Sequence, residues 1–186
     1  MLRASAEAGL PALQVRERDL PTRALLDLVA DIAGGPWVRR PKILVNDRLD
    51  VAVAAGVDGV HLRADSLPTS AARLVLGAER LIGVSTHSSE DVRRAEAEGA
   101  DFVVLGPIYE TPSKRVYGAP LGLPTLEAAS RSARLPVFAI GGVTAARVAE
   151  LRQAGAFGVA VLSALLAADD IRLETDRFLR ELDRPP

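Results

Sequence analysis

The residues best equipped for chemistry in this chain are donors to anions. The stretch GPIYETPSKRVYGAPLG (106–122) follows an apolar run, DFVVLG, and sets Thr111, Ser113 and Lys114 among glycines and prolines. It is too long for a simple connection and too rich in hydroxyl and cationic donors for a spacer, so it reads as a loop waiting for an anion. Two later apolar runs end in AIGGVT and AVLSALL. Glycine lets backbone N–H groups approach an anion, which makes Gly142 and the Leu162–Ser163 backbone candidate phosphate donors. A tight turn and a helix cap are the plainer alternatives there.

Three further clusters sit where apolar runs end. In LQVRERDLP, Arg16 and Arg18 share one face of an extended segment with Glu17 on the other, an arrangement that suits a polyanion or a solvated rim. In VNDRLD, Asn46 precedes Asp47. A carboxylate beside pyrophosphate is what Mg²⁺ uses, but an aspartate before a helix also serves as an N-cap, and spacing alone favours the cap. Ser85-Thr86-His87 either hydrogen-bonds a phosphate or caps the helix starting near Ser88. His61 faces the same end if Val60 faces the helices, as a wall residue or a substrate contact.

These clusters need elements to bring them together. Four segments share one grammar, a helix ending in glycine followed by an apolar strand: EAGLPALQV (7–15), AAGVDGVHL (54–62), AEGADFVVL (97–105) and QAGAFGVAV (153–161). Gly9, Gly56, Gly99 and Gly155 occupy the left-handed position that ends a helix. Further strands are expected over 42–47, 81–85 and 137–142. The spacing predicts helices in TRALLDLVADIAGG, with Thr22 as N-cap, in SSEDVRRAEAEG, with serine caps, and over about 169–182. Apolar strands alternating with helices imply an α/β fold with a parallel sheet. Polar residues at every strand C-terminus favour a (β/α)8 TIM barrel over a doubly wound sheet, because a barrel gathers those ends at one mouth. Only seven strands are legible, and the chain starts in the helix that should follow strand one. Open edges would then remain, and pairing with a second copy in a homo-oligomer is one way to cover them.

The totals agree with a single domain over 1–186. The 186 residues are 48% hydrophobic and 25% charged, with a net charge of −1, which points to neither nucleic acid nor membrane as partner. There is no cysteine, so disulfides and thiol chemistry are excluded and a cytoplasmic location is expected. Two histidines make a multi-histidine metal site hard to build.

LQVRERDL, VNDRLDVAVAAGVDGVHL, LIGVSTHSSEDVRRAEAEGADFVVLGPIYETPSK and VFAIGGVTAARVAELRQAGAFGVAVLSAL together resemble the thiamine phosphate synthase/thiazole tautomerase family over nearly the whole chain. The resemblance implies a (β/α)8 barrel whose first strand lies upstream of Met1. It implies a transferase that joins hydroxymethylpyrimidine diphosphate to a thiazole phosphate, with Mg²⁺ and release of pyrophosphate. Carried over by motif, Gln14, Arg16, Arg18 and Asn46 form the pyrimidine-diphosphate clamp and Asp47 is a magnesium ligand. Ser85 touches the diphosphate or the pyrimidine. Thr111, Ser113 and Lys114 close over both substrates, with Lys114 on the departing pyrophosphate. Gly142, Leu162 and Ser163 hold the thiazole phosphate.

The chain departs from that pattern at HLRADSLP. Ser66 stands where the synthases carry the second acidic ligand, Asp65 lies one residue early as the remaining candidate, and Arg63 replaces a glycine. Arg18 replaces the clamp lysine. The tautomerase branch needs no metal, but Pro107 stands where its proton-moving histidine belongs. Synthase chemistry leads; a metal-free tautomerase and a non-catalytic phosphate-ligand sensor on the same fold are the alternatives.

Overall fold

The computed structural model describes residues 2–111 and 119–185. Within them seven strands run in chain order: β1 (Ala12–Val15), β2 (Lys42–Asn46), β3 (Gly59–Leu62), β4 (Leu81–Thr86), β5 (Phe102–Leu105), β6 (Val137–Ile140) and β7 (Gly158–Ala160). The helices are α1 (Leu2–Glu7), α2 (Thr22–Ala33), α3 (Leu49–Ala54), α4 (Thr69–Leu76), α5 (Ser89–Ala97), α6 (Gly122–Ser132), α7 (Val148–Gln153), α8 (Ser163–Leu166) and α9 (Ile171–Asp183). Each strand pairs parallel with the next, in the order β1-β2-β3-β4-β5-β6-β7.

The expected helix-to-strand grammar is present. Gly9, Gly56, Gly99 and Gly155 all take positive φ, between 64° and 98°. Two of the four cassettes also place an aspartate just before the strand. Asp58 accepts from the Ile43 N–H at 2.9 Å, and Asp101 accepts from the Ile82 N–H at 2.7 Å. Each thereby ties the start of its own strand to the neighbour before it and helps fix the register.

Outward strand residues form the core. Ile43, Val45, Val60, Ile82, Val103 and Leu105 are fully buried against helix residues that include Val29, Val92, Leu126 and Leu151. Burying a side chain of this size contributes about 1.5–3 kcal/mol, so this layer dominates the stability of the fold. The inward face alternates with it and carries Gln14, Asn46, His61 and Ser85 toward the strand C-termini. Aromatic rings also lie on this inner side: Phe102 stands 5.9 Å from His61 and 5.6 Å from Phe138, and Phe138 stands 5.3 Å from Phe157.

A closed eight-stranded barrel is not what these residues form. Among the described residues no pairing joins β7 to β1, and the sheet is an open parallel curl. The helical layer meets across that gap, since α1 packs on α9. The inner face is accordingly open there, with Ile140 38% and Phe157 61% exposed. Two cap expectations also resolve. Ser88 caps α5 by accepting from the Asp91 N–H at 3.0 Å. Thr22, by contrast, is the first residue of α2 after Pro21, and its hydroxyl accepts from Arg48 instead.

Close approach of β3 to β4 leaves no room beside Gly59, where an added Cβ would lie 2.0 Å from the Leu81 carbonyl oxygen. Gly59→Ala is expected to destabilise the fold by about 2–3 kcal/mol, since overpacking against backbone has no side chain to push aside. Urea unfolding measures this, and an unchanged midpoint would remove the close approach.

Candidate functional site at the strand C-termini

Parallel strands in chain order put every C-terminal end on one rim. A relay of side chains runs along the ends of β1, β2 and β3. Gln14 Nε2 donates to Asn46 Oδ1 at 2.9 Å, and Asn46 Nδ2 donates to Asp47 Oδ2 at 3.1 Å. Asp47 then accepts from Arg63 twice, Oδ1 from the backbone N–H at 2.9 Å and Oδ2 from Nε at 2.6 Å. Asp47 does not act as a helix cap: α3 has Arg48 as its N-cap residue and no side-chain cap hydrogen bond. Its φ of 58° turns the residue away from that role, in a region that non-glycine residues seldom occupy.

Arg16 and Arg18 follow β1 at the same rim. Both are exposed, and neither has a hydrogen bond or ion pair among the described residues. They are two cations with no ion-pair partner among the described residues, so their donors are open to an anionic ligand.

His61 and Ser85 lie further in. His61 is 5% exposed, and its Nε2 stands 2.9 Å from Ser85 Oγ. Burial drives the His61 pKa down to about 4, Asp47 opposes that shift and Arg16 adds to it. The ring is therefore neutral at pH 7, and with Ser85 it forms a polar wall without net charge. Gly83 makes room for this arrangement. A Cβ there would lie 2.2 Å from the Phe102 ring and 2.8 Å from His61 Nδ1. A glycine inside the apolar run LIGVS is the sequence signal for such an approach.

Across the mouth lie the turns after β6 and β7, which are adjacent strands with Ile140 paired to Ala160. Gly141 and Gly142 take φ of 96° and 64°. The Gly142 and Val143 amides find no acceptor among the described residues, as an anion-binding turn requires. Leu162 and Ser163 are exposed at the start of α8. One supporting cluster had no sequence signal beyond ordinary loop and helix charges. Arg147 donates to the Gly142 carbonyl at 2.6 Å and stacks 4.2 Å over the Tyr109 ring, whose hydroxyl donates to Glu150. It ties the glycine turn to the root of the loop after β5.

Other candidates are placed less centrally. Thr111 is described and half-buried, while Ser113 and Lys114 lie outside the described residues. Asp65 is exposed, its nearest charged partner being Arg63 Nε at 3.6 Å. Thr86 is buried with its hydroxyl on the Val104 carbonyl, and His87 Nδ1 lies 2.6 Å from the Gly106 carbonyl oxygen.

The sequence pattern described as thiamine monophosphate synthase matches residues 1–165, and the chain belongs to that family. It is 44% identical over 171 residues to the thiamine-phosphate synthase of Methanoculleus marisnigri, covering 92% of this chain and 81% of that one. The thiamine-phosphate synthase of Gloeobacter violaceus is 40% identical over 95% of this chain, which spans 51% of that longer protein. The solved structure of thiamine phosphate pyrophosphorylase from Pyrococcus furiosus superposes with a TM-score of 0.89 at 30% identity, covering 98% of this chain and 87% of that one.

The buried His61 makes a prediction with a definite sign. Its folded pKa lies below the ordinary value of 6.5, so the unfolded chain binds a proton that the folded chain excludes. Stability should therefore fall as pH drops from about 6.5 to about 4, by up to about 3 kcal/mol. Imidazole NMR titration should show His61 neutral at pH 5.5, and His61→Gln should flatten that part of the stability profile. A His61 titrating near 6.5 contradicts the burial argument.

Proposed function

We propose that this chain makes thiamine phosphate, joining hydroxymethylpyrimidine diphosphate to a thiazole phosphate with release of pyrophosphate. The observation that carries the reading is the pairing of two anion sites on one mouth. Unpaired Arg16 and Arg18 stand beside the Gln14–Asn46–Asp47–Arg63 relay on one side, and the open amides of Gly142 and Val143 lie on the other. Two phosphorylated substrates, a pyrimidine and a thiazole, match two sites.

The bond from the pyrimidine methylene carbon to the diphosphate oxygen breaks with its electron pair leaving on the diphosphate. The resulting cation is stabilised by the electron-rich aminopyrimidine, and the thiazole ring nitrogen supplies the pair for the new carbon–nitrogen bond. The protein's task is to neutralise the leaving group and exclude water. Arg16, Arg18 and Lys114 carry the charge for the first task. Ser85 and the neutral His61 wall the space for the pyrimidine. Gly142, Leu162 and Ser163 anchor the thiazole phosphate, with Thr111 and Ser113 on the closing loop.

The resemblance implies Mg²⁺ on Asp47, with Asp65 as the remaining candidate for a second ligand because Ser66 stands at the family's position. The donors present do not fit it. The two Asp47 oxygens already accept three N–H groups, two of them from Arg63, and Asp65 is 77% exposed with Arg63 Nε 3.6 Å away. The chain's own cations therefore carry the leaving-group charge. No helix among the described residues is long and apolar enough to cross a membrane, in keeping with a cytoplasmic enzyme acting on small phosphorylated substrates.

Purified protein given both substrates should form thiamine phosphate, detected by conversion to fluorescent thiochrome; no product from the folded chain would overturn the reading. An added side chain at Gly142 would meet Tyr109 Cβ at 2.7 Å and the Glu110 carbonyl at 2.8 Å. Gly142→Glu should therefore cost at least 100-fold in thiazole phosphate affinity while pyrophosphate affinity holds. Ser163→Ala, which disturbs nothing else, should cost several-fold. Unchanged binding in both removes this anion site.

A further inference from the structure

We propose that the Arg63 guanidinium, seated on Asp47, is the group that meets the diphosphate at this rim and takes the place of a divalent cation there. The inference deepens the reading of the mouth as a synthase site and rests on it.

Asp47 is built to hold this arginine. Its backbone N–H donates to the His61 carbonyl at 3.1 Å, and its positive φ sends the carboxylate toward the end of β3. There the Arg63 backbone N–H takes one oxygen at 2.9 Å and Nε the other at 2.6 Å, while Asn46 Nδ2 adds a third donor. A magnesium ion would lie about 2.0–2.1 Å from a carboxylate oxygen. At Asp47 it would press against donors rather than acceptors, and the backbone N–H cannot swing aside.

The contacts use only Nε of the guanidinium. Its two terminal amino groups find no acceptor among the described residues, leaving four N–H donors in a planar fork. Such a fork suits two phosphate oxygens at once. Arg63 also lines a cleft of about 210 Å³ with Ser66, Ser85 and Thr86, whose other charged residues are Arg94, Asp91 and Glu98. The Arg63 guanidinium also neutralises Asp47 while keeping open donors, and Asp65 Oδ1 lies 3.6 Å from Nε.

Calorimetry with inorganic pyrophosphate, in EDTA and in Mg²⁺, tests the inference on the full chain. Wild type should bind pyrophosphate in EDTA, and Arg63→Ala should weaken that binding at least tenfold. Arg63→Lys should fail to restore it, because an ammonium lacks the fork. Asp47→Asn keeps a residue tolerant of positive φ, so it should fold, weaken binding through loss of the seat, and add nothing on top of Arg63→Ala. Mn²⁺ alone, followed by electron paramagnetic resonance, should remain free in the presence of wild type. Pyrophosphate bound only with Mg²⁺, an unaffected Arg63→Ala, or Mn²⁺ binding that Asp47→Asn abolishes would each overturn the inference, and thiamine phosphate formation would still stand for the synthase reading. Failure to bind thiazole phosphate or form product sinks that reading first.

Discussion

Parallel pairing of each strand with its chain neighbour is the constraint from which the rest of this molecule follows. It sends every strand C-terminus to one rim, so residues far apart in sequence, from Gln14 to Ser163, share a mouth. It also demands that both faces of the sheet be covered. The helices cover the outer face with an apolar layer. The inner face has only its own side chains, polar groups on β1 to β4 and aromatic rings at β5 to β7. Asp58 and Asp101 show how the pairing is held at the strand starts, where each accepts the first free N–H of its neighbour.

The rim divides its charge unevenly, and the division suits transfer between two anions. On one side Asp47 binds Arg63 and the pair is neutral, while Arg16 and Arg18 stand unpaired beside it. On the other side the donors are backbone amides, which neither titrate nor need a counter-ion. Between them His61 is kept uncharged by burial, so the centre of the mouth adds no charge of its own. A cation developing on the pyrimidine would meet neutral walls, and the departing diphosphate would meet the arginines. Such preorganised donors act most strongly where water is excluded.

Much of this was legible in the residues. The four Ala-Gly or Glu-Gly helix ends announced left-handed glycines, and all four adopt them, because only glycine takes that conformation without a Cβ penalty. Apolar runs between helical segments marked all seven strands, since buried parallel strands need no polar face. The two glycines after β6 and the arginines after β1 were readable as anion donors from residue type alone. Asp47 was misread from spacing as a helix cap. Spacing reports chain distance, and its true partner, Arg63, is sixteen residues away, just past the end of the next strand.

By itself the sequence determined the element types, their order and the chemical character of the rim, because these depend on local periodicity, on glycine stereochemistry and on which side chains end each strand. Only the tertiary structure decided which groups meet. Register set His61 against Ser85 and Asp47 against Arg63, and burial in that setting made the histidine neutral. Among the described residues the curl left β1 and β7 unpaired with each other even though α1 reaches α9. Pairing across strands, desolvation and closure are properties of distances in space, and no local pattern in a chain records them.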